Sequence, residues 1–168
     1  LAAQLDGVGK TYPFFALEDV RLHLPRGHIM GFIGPNGAGK STTIRILMGL
    51  IHQDVGEVRL LGYEMPKEQA EAKRDVGFAS EDMRLYDSQT LAWHMRFVRS
   101  IYPKWDQAYA ELLLKRFDLK PEQRIKGLSH GQRVKAMLMI VLARRPRVLV
   151  LDEPTTGLDP VARHEVLR

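Results

Sequence analysis

The stretch Gly34-Pro35-Asn36-Gly37-Ala38-Gly39-Lys40-Ser41 matches the pattern G-x-x-x-x-G-K-[ST] at every fixed position. Its glycines let the backbone turn tightly, so that successive N–H groups point inward at one anion. The apolar run at 28–33 precedes it and reads as a short buried strand. After it, Ile44, Leu47, Met48 and Ile51 recur at helical spacing. Strand, glycine loop and helix follow in the order a phosphate site requires, with the helix adding the positive end of its dipole. Lys40 is placed to reach the β- and γ-phosphates of a nucleotide, and Ser41 to offer its hydroxyl to Mg2+.

The next signal lies far along the chain. Residues 148–151 (Val-Leu-Val-Leu) form a continuous apolar run, as in a parallel strand covered on both faces, and Asp152-Glu153 follow it directly. In open α/β sheets, ligands sit beyond the carboxyl ends of the strands. There Asp152 can hold Mg2+, through water, and Glu153 can polarise a water against the γ-phosphate. Paired acids in this position can also cap the next helix.

Between these points the pattern is mixed, then helical. Residues 17–24 and 55–61 alternate as half-buried strands do, and 76–79 is a short strand candidate. A polar helix is expected around 67–74. Leu91, Met95, Val98 and Tyr102 form an amphipathic stripe that Pro103 ends. Asp106 is a natural cap for a helix through Phe117, and a third helix is expected over 131–143. The fold class is α/β.

Composition narrows the function classes. The chain has 168 residues, 25 Lys+Arg against 20 Asp+Glu, a formal charge of +5 and no cysteine. Disulfide frameworks and thiolate metal sites are excluded. No apolar run reaches the roughly 18 residues of a membrane span. The first residues lack the basic start and apolar stretch of a signal peptide, so a cytoplasmic location is expected. Basic residues recur at Lys115-Arg116, Arg133/Lys135 and Arg144-Arg145-Pro146-Arg147. They fit either solvated helix surfaces or a nucleic-acid face; no nucleic-acid motif accompanies them, and no nucleic-acid partner is expected. His23, His28, His52, His94 and His164 show no metal-ligand spacing.

Leu128-Ser129-His130-Gly131-Gln132 decides the family. Taken with the 34–42 loop, Asp152-Glu153-Pro154 and Thr156-Gly157-Leu158-Asp159, it resembles the nucleotide-binding domain of ATP-binding cassette (ABC) proteins, over essentially the whole chain. The resemblance implies a P-loop NTPase of ABC ATPase type: a mixed-sheet nucleotide-binding lobe (1–81 and 146–168) with a helical subdomain inserted (82–145). It implies ATP and Mg2+ as cofactors. Tyr12 matches the aromatic that stacks on adenine. Gly34, Pro35, Asn36, Gly37, Ala38, Gly39, Lys40, Ser41 and Thr42 match the phosphate loop, and Glu153 the catalytic carboxylate. Ser41, Glu81 and Asp152 fall at the metal positions. Ser129, Gly131 and Gln132 match the signature, which contacts nucleotide held by the opposite subunit, and Asp159 the loop that communicates across a head-to-tail dimer.

Two positions depart from the family pattern. Glu81 stands where a glutamine is usual, which would make ATP binding depend more steeply on Mg2+. His130 replaces the first of two signature glycines, where a protonated imidazole would favour the closed dimer.

The resemblance further implies an ATPase subunit on the cytoplasmic face of the plasma membrane. Its partners would be a second ATP-binding subunit and separate transmembrane permease subunits of a bacterial exporter-type system, with residues 83–93 as the permease contact. A non-transport ABC ATPase acting on nucleic acid or the ribosome is the alternative. The stretch between Lys40 and Leu128 is too short for the long coiled coil of DNA-acting members. The family's switch histidine would fall beyond Arg168, so the chain is expected to be C-terminally truncated and weakly active by itself.

Overall fold

The computed structural model describes residues 1–154; Asp159 and His164 lie outside them. The chain divides into two compact units, Leu1–Arg74 and Asp75–Arg168.

In the first unit, strands β1 (Ala3–Tyr12), β2 (Phe15–Leu24), β3 (Val55–Leu60) and β4 (Tyr63–Glu64) form an antiparallel sheet in the order β2-β1-β3-β4. Helices α1 (Lys40–Leu47) and α2 (Gln69–Arg74) complete it. Leu5, Val8, Val58 and Leu60 are fully buried on the sheet, and Ile46 of α1 is buried with them. Each such side chain contributes about 1.5–3 kcal/mol relative to exposure.

β1 is not evident in the sequence. Its ladder with β2 shifts register between Leu5 and Val8 and again between Val8 and Lys10. Gly7 takes φ 59 within it, and such bulges destroy the two-residue alternation that marks a strand.

The buried strand expected at 28–33 is absent. These residues have no regular secondary structure, and Ile29 and Ile33 are fully exposed. A strand exists only through its ladder, and neither β2 nor β4, the two edges of this unit's sheet, pairs with the segment. Apolar composition alone does not supply a partner.

In the second unit, β5 (Val76–Ser80) and β6 (Val148–Asp152) pair in parallel, from Val76 opposite Val148 to Ser80 opposite Asp152. Helices α3 (Leu91–Ile101), α4 (Gln107–Arg116) and α5 (His130–Leu142) belong to the same unit. Two helices start on side-chain caps, of which the sequence predicts Asp106. The Thr90 hydroxyl accepts the Trp93 N–H at 3.1 Å, and the Asp106 carboxylate accepts the Tyr109 N–H at 2.9 Å. Leu91 and Met95 from the α3 stripe meet Ala110 and Leu113 of α4 and Met139 of α5 in one core.

The Arg144-Arg145-Pro146-Arg147 cluster is largely committed to this unit's own structure. The Arg144 guanidinium lies 3.4 Å from the Tyr102 ring centroid and donates to Val76 O at 3.1 Å. Arg145 lies 3.6 Å from the Tyr109 ring centroid and donates to Asp106 Oδ2 at 2.9 Å. Stacked and bridged, these two arginines brace the turn between α5 and β6 against α3 and α4.

Candidate functional site

The glycine loop closes on its own lysine. Lys40 Nζ donates to Gly34 O at 2.8 Å and to Pro35 O at 2.9 Å, while the Ala38 N–H donates to Pro35 O at 3.2 Å. Gly37 and Gly39 hold φ 82 and 88, a left-handed conformation that costs other residues about 1–2 kcal/mol. Gly39 caps α1, and its carbonyl accepts both the N–H and the hydroxyl of Thr43, at 2.8 and 2.9 Å. Residues 34–38 remain exposed.

This donor set fits an anion. Among the described residues no carboxylate pairs with Lys40; its ammonium rests on carbonyl oxygens alone. A phosphate oxygen, carrying full negative charge, is a stronger acceptor than either. The Ser41 and Thr42 hydroxyls belong to the first turn of the same helix.

Tyr12 ends β1 with its ring exposed. It stacks on Phe15 across the hairpin, with centroids 6.3 Å apart and planes at 27°. The Lys10 ammonium lies 5.7 Å from the Tyr12 ring centroid. Phe15 also packs toward Gly39, so one aromatic side chain joins the hairpin to the phosphate loop.

The second unit gathers the acidic residues. Asp152 ends β6 and is 8% exposed. The Glu81 N–H donates to Asp152 O at 3.3 Å, which sets Glu81 and Asp152 side by side at the carboxyl ends of two parallel strands. Glu153, exposed, adopts φ 48. For a non-glycine residue that is a strained backbone, of the kind that persists where surrounding structure over-determines it. Among the described residues no three His, Cys, Asp or Glu side chains converge as a metal site. A hard cation held by Glu81 or Asp152 would therefore complete its shell with other oxygens. Carboxylate oxygens suit Mg2+, which is ordinarily held by one or two carboxylates together with phosphates and water.

Ser129 caps α5 in a reciprocal arrangement. Its hydroxyl oxygen accepts the Gln132 N–H at 3.2 Å, and Gln132 Oε1 accepts the Ser129 N–H at 3.0 Å. The hydroxyl proton remains available for donation outward. His130 and Gly131 open the helix behind this cap. His130 and Glu81, the two departures read separately from sequence, line one cavity of about 170 Å3 together with Arg84, Arg133 and Pro154. No local pattern signals that meeting, because it depends on how α5 packs in the unit.

His94, which has no metal spacing, is buried and committed to structure. Its Nε2 accepts the Tyr86 N–H at 2.9 Å, which puts the ring proton on Nδ1, 2.9 Å from Thr90 O.

Thus the first unit carries Tyr12 and the 34–42 loop, and the second carries Glu81, Ser129, Gly131, Gln132, Asp152 and Glu153. A glycine loop that closes on a lysine and opens a helix, in a chain with a parallel β-pair ending in acids, defines a P-loop NTPase domain. The chain belongs to the ABC transporter family, whose family profile matches residues 17–156.

It is 35% identical over 152 residues to the ABC transporter ATP-binding protein YtrB of Bacillus subtilis, covering 90% of this chain and 52% of that protein. It is 34% identical over 170 residues to the Nod factor export ATP-binding protein I of Rhizobium johnstonii, covering 98% of this chain and 55% of that protein. Among solved structures it resembles an ATP binding subunit of an ABC transporter, with TM-score 0.87 and 30% identity over 99% of this chain and 72% of that one. The chain spans about half the length of the curated relatives it matches.

Proposed function

We propose that this protein is the ATP-binding and ATP-hydrolysing subunit of an ABC transporter, energising substrate movement through separate membrane subunits. The observation that carries the reading is the phosphate loop, with Lys40 held across its mouth by carbonyls that a phosphate oxygen would displace. The export named for one relative supports export as the direction of transport.

Within this reading, residues 34–42 bind the phosphates and Tyr12 stacks on adenine. Ser41, Glu81 and Asp152 would hold Mg2+, which supplies charge neutralisation on the phosphate oxygens. Glu153 orients and deprotonates the attacking water, and its fixed backbone limits where its carboxylate can reach. Ser129, Gly131 and Gln132 serve the nucleotide of a second subunit in a head-to-tail dimer: the Ser129 hydroxyl donates outward while its lone pair caps α5. Asp159 communicates across that dimer. Residues 1–81 and 146–168 make up the nucleotide-binding lobe, and 82–145 the helical subdomain.

No described helix is long and apolar enough to cross a membrane. The protein would act at the cytoplasmic face of the membrane through its permease partners. Tyr86, Trp93 and Phe97 offer an aromatic surface suited to that docking. Trp93 stacks on Phe97 at 5.2 Å and meets Tyr86 edge-on at 5.8 Å, and Tyr86 is 64% exposed.

The test is ATP turnover by the full-length protein with its membrane partner. Glu153→Gln should bind ATP and lose turnover, and affinity capture from membranes should bring down a permease. Retained turnover in that variant would remove Glu153 from its role. ATPase activity stimulated by nucleic acid, with no permease captured, would overturn transport.

A further inference from the structure

The end of β1 is held by a residue that no motif marks. The β1–β3 ladder stops at Gly9 opposite Val55, so Lys10, Thr11 and Tyr12 have no β3 partner. Asp54, immediately before β3, takes over that side. Its N–H donates to Gly9 O at 2.8 Å, its Oδ1 accepts from Lys10 Nζ at 2.7 Å, and its Oδ2 accepts the Thr11 N–H at 2.8 Å. Three successive residues are thus tied to one, and the next residue is Tyr12.

The geometry also fixes the ring's surroundings. The ammonium that Asp54 holds is the one near the Tyr12 ring face, within cation–π range. On the other edge Tyr12 pairs with Phe15. The carboxylate accepts one charged and one backbone donor, an arrangement stronger than neutral pairing. Lys10 first, then the Thr11 N–H, holds the Asp54 carboxyl below its ordinary range, so the clamp is ionised wherever the protein is folded near neutrality.

We propose that Asp54 is a positioning residue for a purine platform at Tyr12: it clamps the end of β1 along the edge that β3 leaves without a partner, so that the ring is presented to a nucleotide base. The inference rests on the nucleotide-binding reading above and adds to it a division of labour. Asp54 serves the base, and the 34–42 loop serves the phosphates.

The test compares two ligands on the full-length protein with Mg2+: a non-hydrolysable ATP analogue, and inorganic tripolyphosphate, which has no base. Asp54→Ala should weaken the analogue at least about fivefold, as loss of one base–aromatic stack does, and leave tripolyphosphate within about twofold. Tyr12→Ala should do the same. The double variant should be no weaker than either single one, because both remove one platform. Asp54→Asn, which keeps an acceptor for the Thr11 N–H, should fall between wild type and Asp54→Ala and guards against a misfolded alanine variant.

Equal weakening of both ligands by Asp54→Ala and Asp54→Asn would make Asp54 a general fold residue and overturn the proposal. So would an unchanged analogue affinity in Asp54→Ala while Tyr12→Ala weakens it, or additive losses in the double variant. If Tyr12→Ala leaves analogue binding intact, the platform itself fails and the clamp with it, whereas loss of tripolyphosphate binding in Lys40→Ala would still stand for the phosphate loop.

Discussion

A Cβ placed on Gly39 would run into Leu17 Cδ2, with Phe15 Cζ at 2.9 Å. The phosphate loop is thereby seated against the β1–β2 hairpin with no room for a side chain. Gly37, two residues earlier and equally left-handed, has nothing within 4 Å. The pair separates two costs. Gly37→Ala should lose only the conformational part, about 1–2 kcal/mol. Gly39→Ala should add an overpacking cost of about 1–3 kcal/mol. Urea unfolding of both variants checks this, and equal midpoints would mean that the hairpin does not seat the loop.

Lys40 should matter to nucleotide and hardly to stability. Its partners are two carbonyls at the protein surface, so Lys40→Ala should change the unfolding free energy by less than about 1 kcal/mol. Loss of a charge-assisted contact to phosphate, about 1.5–3 kcal/mol, should weaken ATP about tenfold to 150-fold. Calorimetric titration with ATP, beside an unfolding curve, reads both. A large drop in stability with unchanged affinity would assign the lysine to loop structure.

Glu153 sits at φ 48, a conformation glycine accepts without strain. Glu153→Gly should therefore relieve about 1 kcal/mol of backbone strain and, on the proposed role as general base, lower turnover about 100-fold or more. Glu153→Gln should lower turnover alike and keep the backbone strain. Thermal midpoints and single-turnover assays of the two variants decide it. If the glycine variant is less stable than wild type, the strain is not carried at this residue.

The sequence showed what is local and hid what is relational. The 34–41 motif, the α3 stripe and the Asp106 cap each lie within a few residues, and all three appear in the structure. At 28–33 the same logic misleads, because hydrophobicity marks a segment that wants a partner without supplying one. β1 shows the converse: Gly7 and two register shifts hide a real strand from a rule based on alternation. Asp54 reaches across more than forty residues of sequence to Lys10 and Thr11, and Glu81 and His130 come to line one cavity only through packing. Neither relationship leaves a trace in spacing. The left-handed backbone at Glu153 was equally hidden, since residue type forecasts φ > 0 only for glycine and, weakly, for Asn and Asp.

Asp106 supplies one part of the pH dependence. Its carboxylate caps α4 through the Tyr109 N–H and receives the Arg145 guanidinium; the Tyr109 N–H first, then Arg145, holds its carboxyl below the ordinary 3.8. A group whose folded value lies below its unfolded one stabilises the protein above the unfolded value, and that contribution is lost as pH falls through the folded one. Asp106→Asn keeps a cap oxygen but cannot ionise. Wild type should therefore exceed Asp106→Asn in stability by a constant amount above about pH 5, and the gap should shrink below 3.8 as the carboxylate takes up its proton. Urea midpoints for both proteins between about pH 2 and 7 measure the difference directly. A gap that stays constant through that range would show that the charge on Asp106 contributes nothing, leaving only the neutral cap.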